Sequence, residues 1–242
     1  SSSISEPNTV INTAVAEVLD EFATLLEESD DFTATLNEIM QKTLKEHSRI
    51  IFNENNYSDE WTKEAEKRGL LNLKTTVDAL PCFIEQKNID LFTKHNIYTE
   101  AEIYSRYEIL LEEYSKTINI EAITMCQMLK KEILPAITSY MKELAETISY
   151  KKSACGDIPC KYETDILLKL SNSADELHAL SEELDKKLYL TEGKNALTEA
   201  IAFKDGVIPT MRAIRAIADE AEMTVAKKYW PYPSYGRIML SE

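Results

Sequence analysis

Apolar residues recur three and four positions apart along most of the chain, the spacing of helices that bury one face. The longest such run, Thr99 to Lys152, holds no glycine and a single proline. It is predicted to open on a capping box, with Thr99 and Glu102 each satisfying a backbone N–H that the first turn leaves unpaired. Ile103, Tyr107, Leu110, Leu111, Tyr114 and Ile118 fall on one face, and Met125, Leu129, Ile133, Ile137, Met141, Leu144 and Ile148 carry the stripe onward. Unbroken, the run would exceed ~70 Å at about 1.5 Å per residue, so an interruption is expected. Two places invite it. Asn119 sits among Thr117, Ile118 and Ile120 and could cap a second helix, and Pro135 removes an N–H and crowds the preceding turn.

The flanking segments are expected to pack against this run. Pro7 and Asn8 precede a helix whose Val10, Ile11, Val15, Val18, Leu19 and Phe22 form so broad an apolar surface that burial on more than one side is implied. Such a helix at a free N-terminus would stand in water, so the sequence reads as starting in the middle of a larger structure. A second helix is predicted from Phe32 to Ile51, then an Asn-rich loop. Ser58 should cap a brief helix ended by Gly69; Leu70–Leu80 continues until Pro81 stops it; and Ile89, Leu91 and Phe92 form one more before Asn96.

Beyond the central run, Ser153 to Pro159 reads as a turn. Ile166, Leu170, Leu177, Leu184 and Leu188 then repeat at near-heptad spacing, as in a helix lying antiparallel on the central one, with a stop at Thr191–Lys194. The last long helix runs from Leu197 to Val225, with kinks expected at Gly206 and Pro209. Tyr229 to Gly236 is the densest aromatic patch, and its two prolines predict an extended segment that packs back on the bundle; an exposed partner-binding motif is the alternative. The fold class is all-α: a bundle of long antiparallel helices with several short ones, kinked at or near Pro135.

Composition narrows the function. The 242 residues are 44% hydrophobic, enough for a real core, and five glycines favour helix over a turn-rich β fold. A formal charge of −15 repels phosphate backbones and disfavours nucleic-acid binding. No apolar stretch reaches the roughly 18 residues of a membrane span and no signal peptide opens the chain, so a cytoplasmic protein is expected. Four cysteines at irregular spacing are too few for a disulfide framework.

Candidate chemistry is sparse. Asp175 and His178 share a helix face at the spacing of half a di-metal bundle site, but His47 and His95 have Leu44 and Phe92 where the second half needs carboxylates. Cys155 and Cys160 flank a turn where a disulfide or zinc could form, yet nothing nearby completes four ligands, so free thiols are expected; Cys82 and Cys126 read as core side chains. Glu112 with Glu113, and Glu182 with Glu183, are adjacent and diverge by about 100° on a helix, so neither pair converges on one proton. GxxxxGK[ST], GxGxxG, GxSxG and HExxH are absent. No catalytic, cofactor-binding or metal residue is assigned.

Several longer runs together resemble the C-terminal part of type III glutamine synthetases. They are Ser3 to Thr13, His47-Ser48-Arg49-Ile50-Ile51-Phe52-Asn53, Asn56-Tyr57-Ser58-Asp59-Glu60-Trp61, Glu64 to Leu70, Thr76 to Pro81, Ser105-Arg106-Tyr107-Glu108, Glu112-Glu113-Tyr114 and Lys228-Tyr229-Trp230-Pro231. The resemblance covers nearly the whole chain in the family's order. It implies a fragment: residues 1–30 as a remnant helix of the catalytic domain, Pro7 and Asn8 just after the active-site strand, and residues 31–242 as a C-terminal helical bundle domain. The parent's reaction is the ATP- and magnesium-dependent ligation of ammonia to glutamate through γ-glutamyl phosphate, in ring-shaped homo-oligomers. The strands that carry its metal and substrate ligands are absent here, so no catalytic residue is carried over and no cofactor is expected in this fragment. A non-catalytic scaffold, packed on the parent's catalytic domain and neighbouring subunits, is therefore the leading reading. A free-standing adaptor binding a partner through the aromatic tail or the Asn53–Trp61 loop is the second, and a carboxylate-bridged di-metal enzyme the third. Burial of Val10, Val18 and Phe22 separates the first two: an open face favours the scaffold.

Overall fold

The computed structural model describes residues 3–191, 195–233 and 235–240, and among these every regular element is helical. The chain forms two compact units, Ser1–Leu110 and Leu111–Glu242.

The first unit is built from α1 (Ser5–Glu27), α2 (Phe32–Glu46), α3 (Asp59–Lys67), α4 (Thr76–Phe83), α5 (Gln86–Lys94) and the opening of α6 (Glu100–Met128). Local chemistry sets most of these boundaries. Asp31 accepts from the Ala34 N–H at 3.0 Å and Ser58 from the Trp61 N–H at 3.4 Å, so both side chains satisfy donors the first turn leaves free. Gly69 at φ 72° follows α3 in the left-handed region open to glycine. At α6 the capping box forms as predicted: the Thr99 N–H donates to Glu102 at 2.8 Å and the Glu102 N–H to Thr99 Oγ1 at 3.3 Å.

Three boundaries differ from the sequence reading. Pro7 and Asn8 lie inside the first turn of α1, where a missing N–H costs nothing because that donor has no intrahelical partner anyway. The second helix ends at Glu46 and only a short 3₁₀ turn, Ser48–Ile50, follows. Pro81 does not stop a helix but sits within α4, which starts later, at Thr76, because the Thr75 hydroxyl accepts from the Asp78 N–H at 3.1 Å. Ile89, Phe92 and Ile103 form one core cluster of this unit, with Phe83, Ile84 and Tyr98 against them, and Val77 and Tyr107 are also buried.

The second unit is a tighter bundle. Beyond Met128 the long run continues as a π turn, Leu129–Ile133, and then α7 (Leu134–Cys155), in which Pro135 occupies the first turn. The break therefore falls at the proline, and helix passes through Asn119 without a cap. The wide turn takes up the proline, whose ring and absent N–H would otherwise break the i→i−4 ladder. Gly156, φ 73°, closes α7, and α8 (Lys161–Thr191) runs back along it. The antiparallel sense is fixed by Lys151 pairing with Glu163 and Lys130 with Asp185. Leu170, Leu177 and Leu184, seven apart on α8, are fully buried.

The same break recurs in the last long helix. Asn195 caps α9 (Ala196–Ala202), accepting from the Thr198 N–H at 2.9 Å; a second π turn, Phe203–Val207, leads into α10 (Ile208–Thr224), with Pro209 in its first turn. The stretches Ile133-Leu134-Pro135 and Val207-Ile208-Pro209 thus make one device twice. α8 clamps both copies. Asp185 holds Lys130, and Lys187 Nζ donates to Thr210 Oγ1 at 2.7 Å and to the Gly206 carbonyl at 3.3 Å. The tail folds back as expected, with Tyr229, Trp230 and Tyr232 half-buried against the core. The short α11 (Tyr235–Leu240) follows. The stop expected at 192–194 and the tail's Ser234 lie outside the described residues.

Candidate functional site

Ordinary amphipathic helices turn their apolar stripe inward; α1 and α2 do not. Thr13 is the buried residue of α1 and Ile39 that of α2. Val10, Ile11, Val15, Val18 and Leu19 stay exposed along α1, Val18 at 44% and Leu19 at 61%. On α2, Phe32, Leu36, Met40 and Leu44 are spaced four apart and also stand open. Covering a fully exposed side chain of this kind is worth about 1.5–3 kcal/mol, so two adjoining stripes make a strong docking surface.

Ion pairs tie α1 to α5 and the start of α6. Glu6 pairs with Arg106, whose guanidinium stacks 4.4 Å from the Tyr98 ring centroid. Glu17 accepts from Lys94 Nζ at 2.7 Å and lies 2.5 Å from His95 Nε2, and Asp20 approaches Lys94 at 3.3 Å. Hydrogen bonds from Lys94 and then His95 hold the Glu17 carboxyl below its ordinary range, and the same pairing raises the Lys94 ammonium. These ion-pair partners sit 74 to 100 positions apart in sequence, where no local pattern announces them.

The Asn53–Trp61 loop is gathered by Arg68. Its Nη1 donates to the Ile51 carbonyl at 2.8 Å and the Arg49 carbonyl at 3.3 Å, its Nε to Glu64 at 2.7 Å, and it lies 5.8 Å from the Trp61 ring, itself stacked on Phe52 at 4.5 Å. Tyr57 at the loop tip is 99% exposed.

The groups weighed for chemistry do not assemble. Asp175 and His178 are both exposed, and the imidazole stands 3.8 Å from Glu182 one turn on. His47 is exposed, while His95 belongs to the Glu17 cluster. All four cysteines are free: Cys155 is exposed, Cys160 and Cys126 are buried, and burial pushes the Cys126 thiol up to about 11. Glu112 and Glu183 pair with Lys116 and Lys187 on their own helices. Among the described residues no three His, Cys, Asp or Glu side chains gather around a common point that could hold a metal ion, and no helix is long and apolar enough to cross a membrane.

The second unit adds a feature that sequence reasoning missed. A groove of about 550 Å³ opens between α6 and α10, floored by Met125, Met128, Ile133 and Met211 and flanked by Trp230 and Tyr232 of the tail. Burial beside Glu132 pushes the Tyr232 phenol up to about 12. The walls come from segments some 90 positions apart, so only the folded chain brings them together.

Comparison with known proteins matches the glutamine synthetase C-terminal domain to residues 35–152. Over 88% of its length the chain is 41% identical to a glutamine synthetase of Butyrivibrio fibrisolvens, covering 30% of that protein. Over 96% it is 33% identical to a type-3 glutamine synthetase of Dictyostelium discoideum and 25% identical to a glutamine synthetase of Bacteroides fragilis, covering 33% of each. The chain thus spans about a third of the length of the curated relatives it matches. The resemblance read from the Asn53, Thr76 and Arg106 neighbourhoods is borne out: the match to the glutamine synthetase C-terminal domain spans residues 35–152.

Proposed function

We propose that this chain is the scaffold and assembly part of a glutamine synthetase, and that the ligation of ammonia to glutamate is carried by residues outside it. The observation that carries this reading is the open face of α1 and α2. Val10 and Val18 stand exposed and Phe22 is half-buried, the outcome that favours a part made to be covered by a larger structure over a free-standing adaptor. On this reading residues 1–30 are the last helix of the catalytic domain and residues 31–242 the bundle domain, packed on that catalytic domain and on neighbouring subunits of a ring-shaped homo-oligomer in the cytoplasm. ATP and magnesium serve the parent reaction through γ-glutamyl phosphate and are held outside this chain.

The test has two arms. Incubated with glutamate, ammonia, ATP and magnesium, the isolated chain is expected to form no glutamine, and turnover comparable to that of a complete enzyme overturns the proposal. Val18→Asp with Leu19→Asp, placed in the complete enzyme, is expected to break the assembly seen by sedimentation. An intact assembly overturns the docking role of α1.

A further inference from the structure

The side chains of the α6–α10 groove select one class of occupant. Met125, Met128 and Met211 are unbranched and polarizable, and they mould to an apolar body of irregular shape, with Ile133, Ile214 and Ala218 beside them. A volume of about 550 Å³ suits a small molecule, while the lining falls short of the roughly 20–30 residues a side that a stable protein interface takes. The indole N–H of Trp230 is buried with no hydrogen-bond partner, so that side chain is held by packing alone and can settle against a guest.

Charge decides what the apolar body carries. Glu121, Asp219 and Glu222 line the groove against a single cation, Arg215, which Asp219 already engages at 3.4 Å. Glu121 and Glu222 are exposed and make no ion pair among the described residues. A carboxylate or phosphate ester entering here is repelled, whereas an ammonium group meets two unmatched acids and the aromatic rings of Trp230 and Tyr232. We infer that the groove binds a small organic cation with an apolar body, an alkyl- or arylalkyl-ammonium compound, its chain on the methionine floor and its head paired with Glu121 or Glu222. The site lies wholly within the second unit and owes nothing to the α1–α2 face, so either idea can fail without the other.

Trp61→Phe leaves Trp230 as the sole tryptophan of the 242-residue chain, a reporter in the groove wall. Titrated below micelle formation, octylammonium should change its emission saturably at one molecule per chain and bind about tenfold more tightly than octanol, with octanoate weaker still. Titration calorimetry on the unsubstituted chain should give the same order. Glu121→Gln with Glu222→Gln alters only exposed side chains and should bring octylammonium down to the affinity of octanol, which itself stays unchanged. Thr124→Phe, also at an exposed lining position, should fill part of the groove and weaken octylammonium and octanol alike, with helicity by circular dichroism retained. No saturable binding of octylammonium, octanoate bound as tightly, several molecules taken up per chain, a preference that survives the glutamine pair, or probes indifferent to Thr124→Phe overturns the inference.

Discussion

On α8, Leu170, Leu177 and Leu184 are wholly buried; on α1, Val18 and Leu19 are as apolar and keep 44% and 61% of their surface in water. In the second unit, α8 threads between α7 and α10, and its leucines join Ile137, Phe203, Val207 and Ile214 in one core. In the first, α1 and α2 touch each other and α1 touches α5, but Val15, Leu19, Leu36 and Leu44 of their stripes stay exposed, and Glu6 and Glu17 tie α1 to Arg106 and Lys94. Helices of similar pattern thus follow two stability regimes. One is set by packing, which is short-ranged and indifferent to salt; the other by exposed ion pairs, which salt screens and acid removes.

The strongest way to break this contrast is Leu184→Ala. At a fully buried site the lost contacts and the cavity left behind should cost about 2–5 kcal/mol, read from the shift of a urea midpoint; a cost under 1 kcal/mol would mean that the second unit is as loosely held as α1.

Acid should act on the opposite side. The folded carboxyl of Glu17 is depressed by Lys94 and His95, so its contribution is fully present above the unfolded carboxylate range and is lost as pH falls through the lower, folded value. Hydrogen exchange should therefore show α1 amides losing protection on acidification before those around Leu177, and high salt at neutral pH should reproduce part of the effect.

A smaller change is expected from Thr99→Ala, which removes half of the capping box: about 1 kcal/mol off the thermal stability of the first unit, seen in a calorimetric scan. The smallest should come from Leu19→Asp. Because that side chain is already open, the melting temperature of the isolated chain should move by the equivalent of about 0.5 kcal/mol or less. A large drop there would show that α1 is packed after all.

What the sequence made legible was local. Thr99 and Glu102, Ser58 with its acidic first turn, Gly69, and the heptad leucines of α8 each announce an element through neighbours within a turn or two. Pro81 misled: beyond the first turn of α4 it removes an N–H that would bond the Val77 carbonyl, yet the helix started by the Thr75 cap runs on to Phe83. Pro135 and Pro209 were readable as breaks, but the wide turns that absorb them were not. Arg106 with Glu6, Lys94 with Glu17, and the groove joining Met125 to Trp230 depend on tertiary approach and leave no mark in any short window.

The paired wide turns ahead of Leu134-Pro135 and Ile208-Pro209 carry an arithmetic of their own. Leu129, Ile133 and Ile137 are buried at two successive steps of four, and on a helix of 3.6 residues per turn each such step drifts by about 40°. A turn that swallows an additional residue cancels that drift and keeps the phase of the seam. Deleting Lys131 would let the wide turn close to ordinary pitch with the side chains from Leu134 to Cys155 kept in phase, whereas deleting a residue from the regular part of α7 would swing everything beyond it round by about 100°. The two wide turns are thus the places where these helices tolerate a change of length: a single-residue deletion there should be milder than one in the regular turns of α7 or α10.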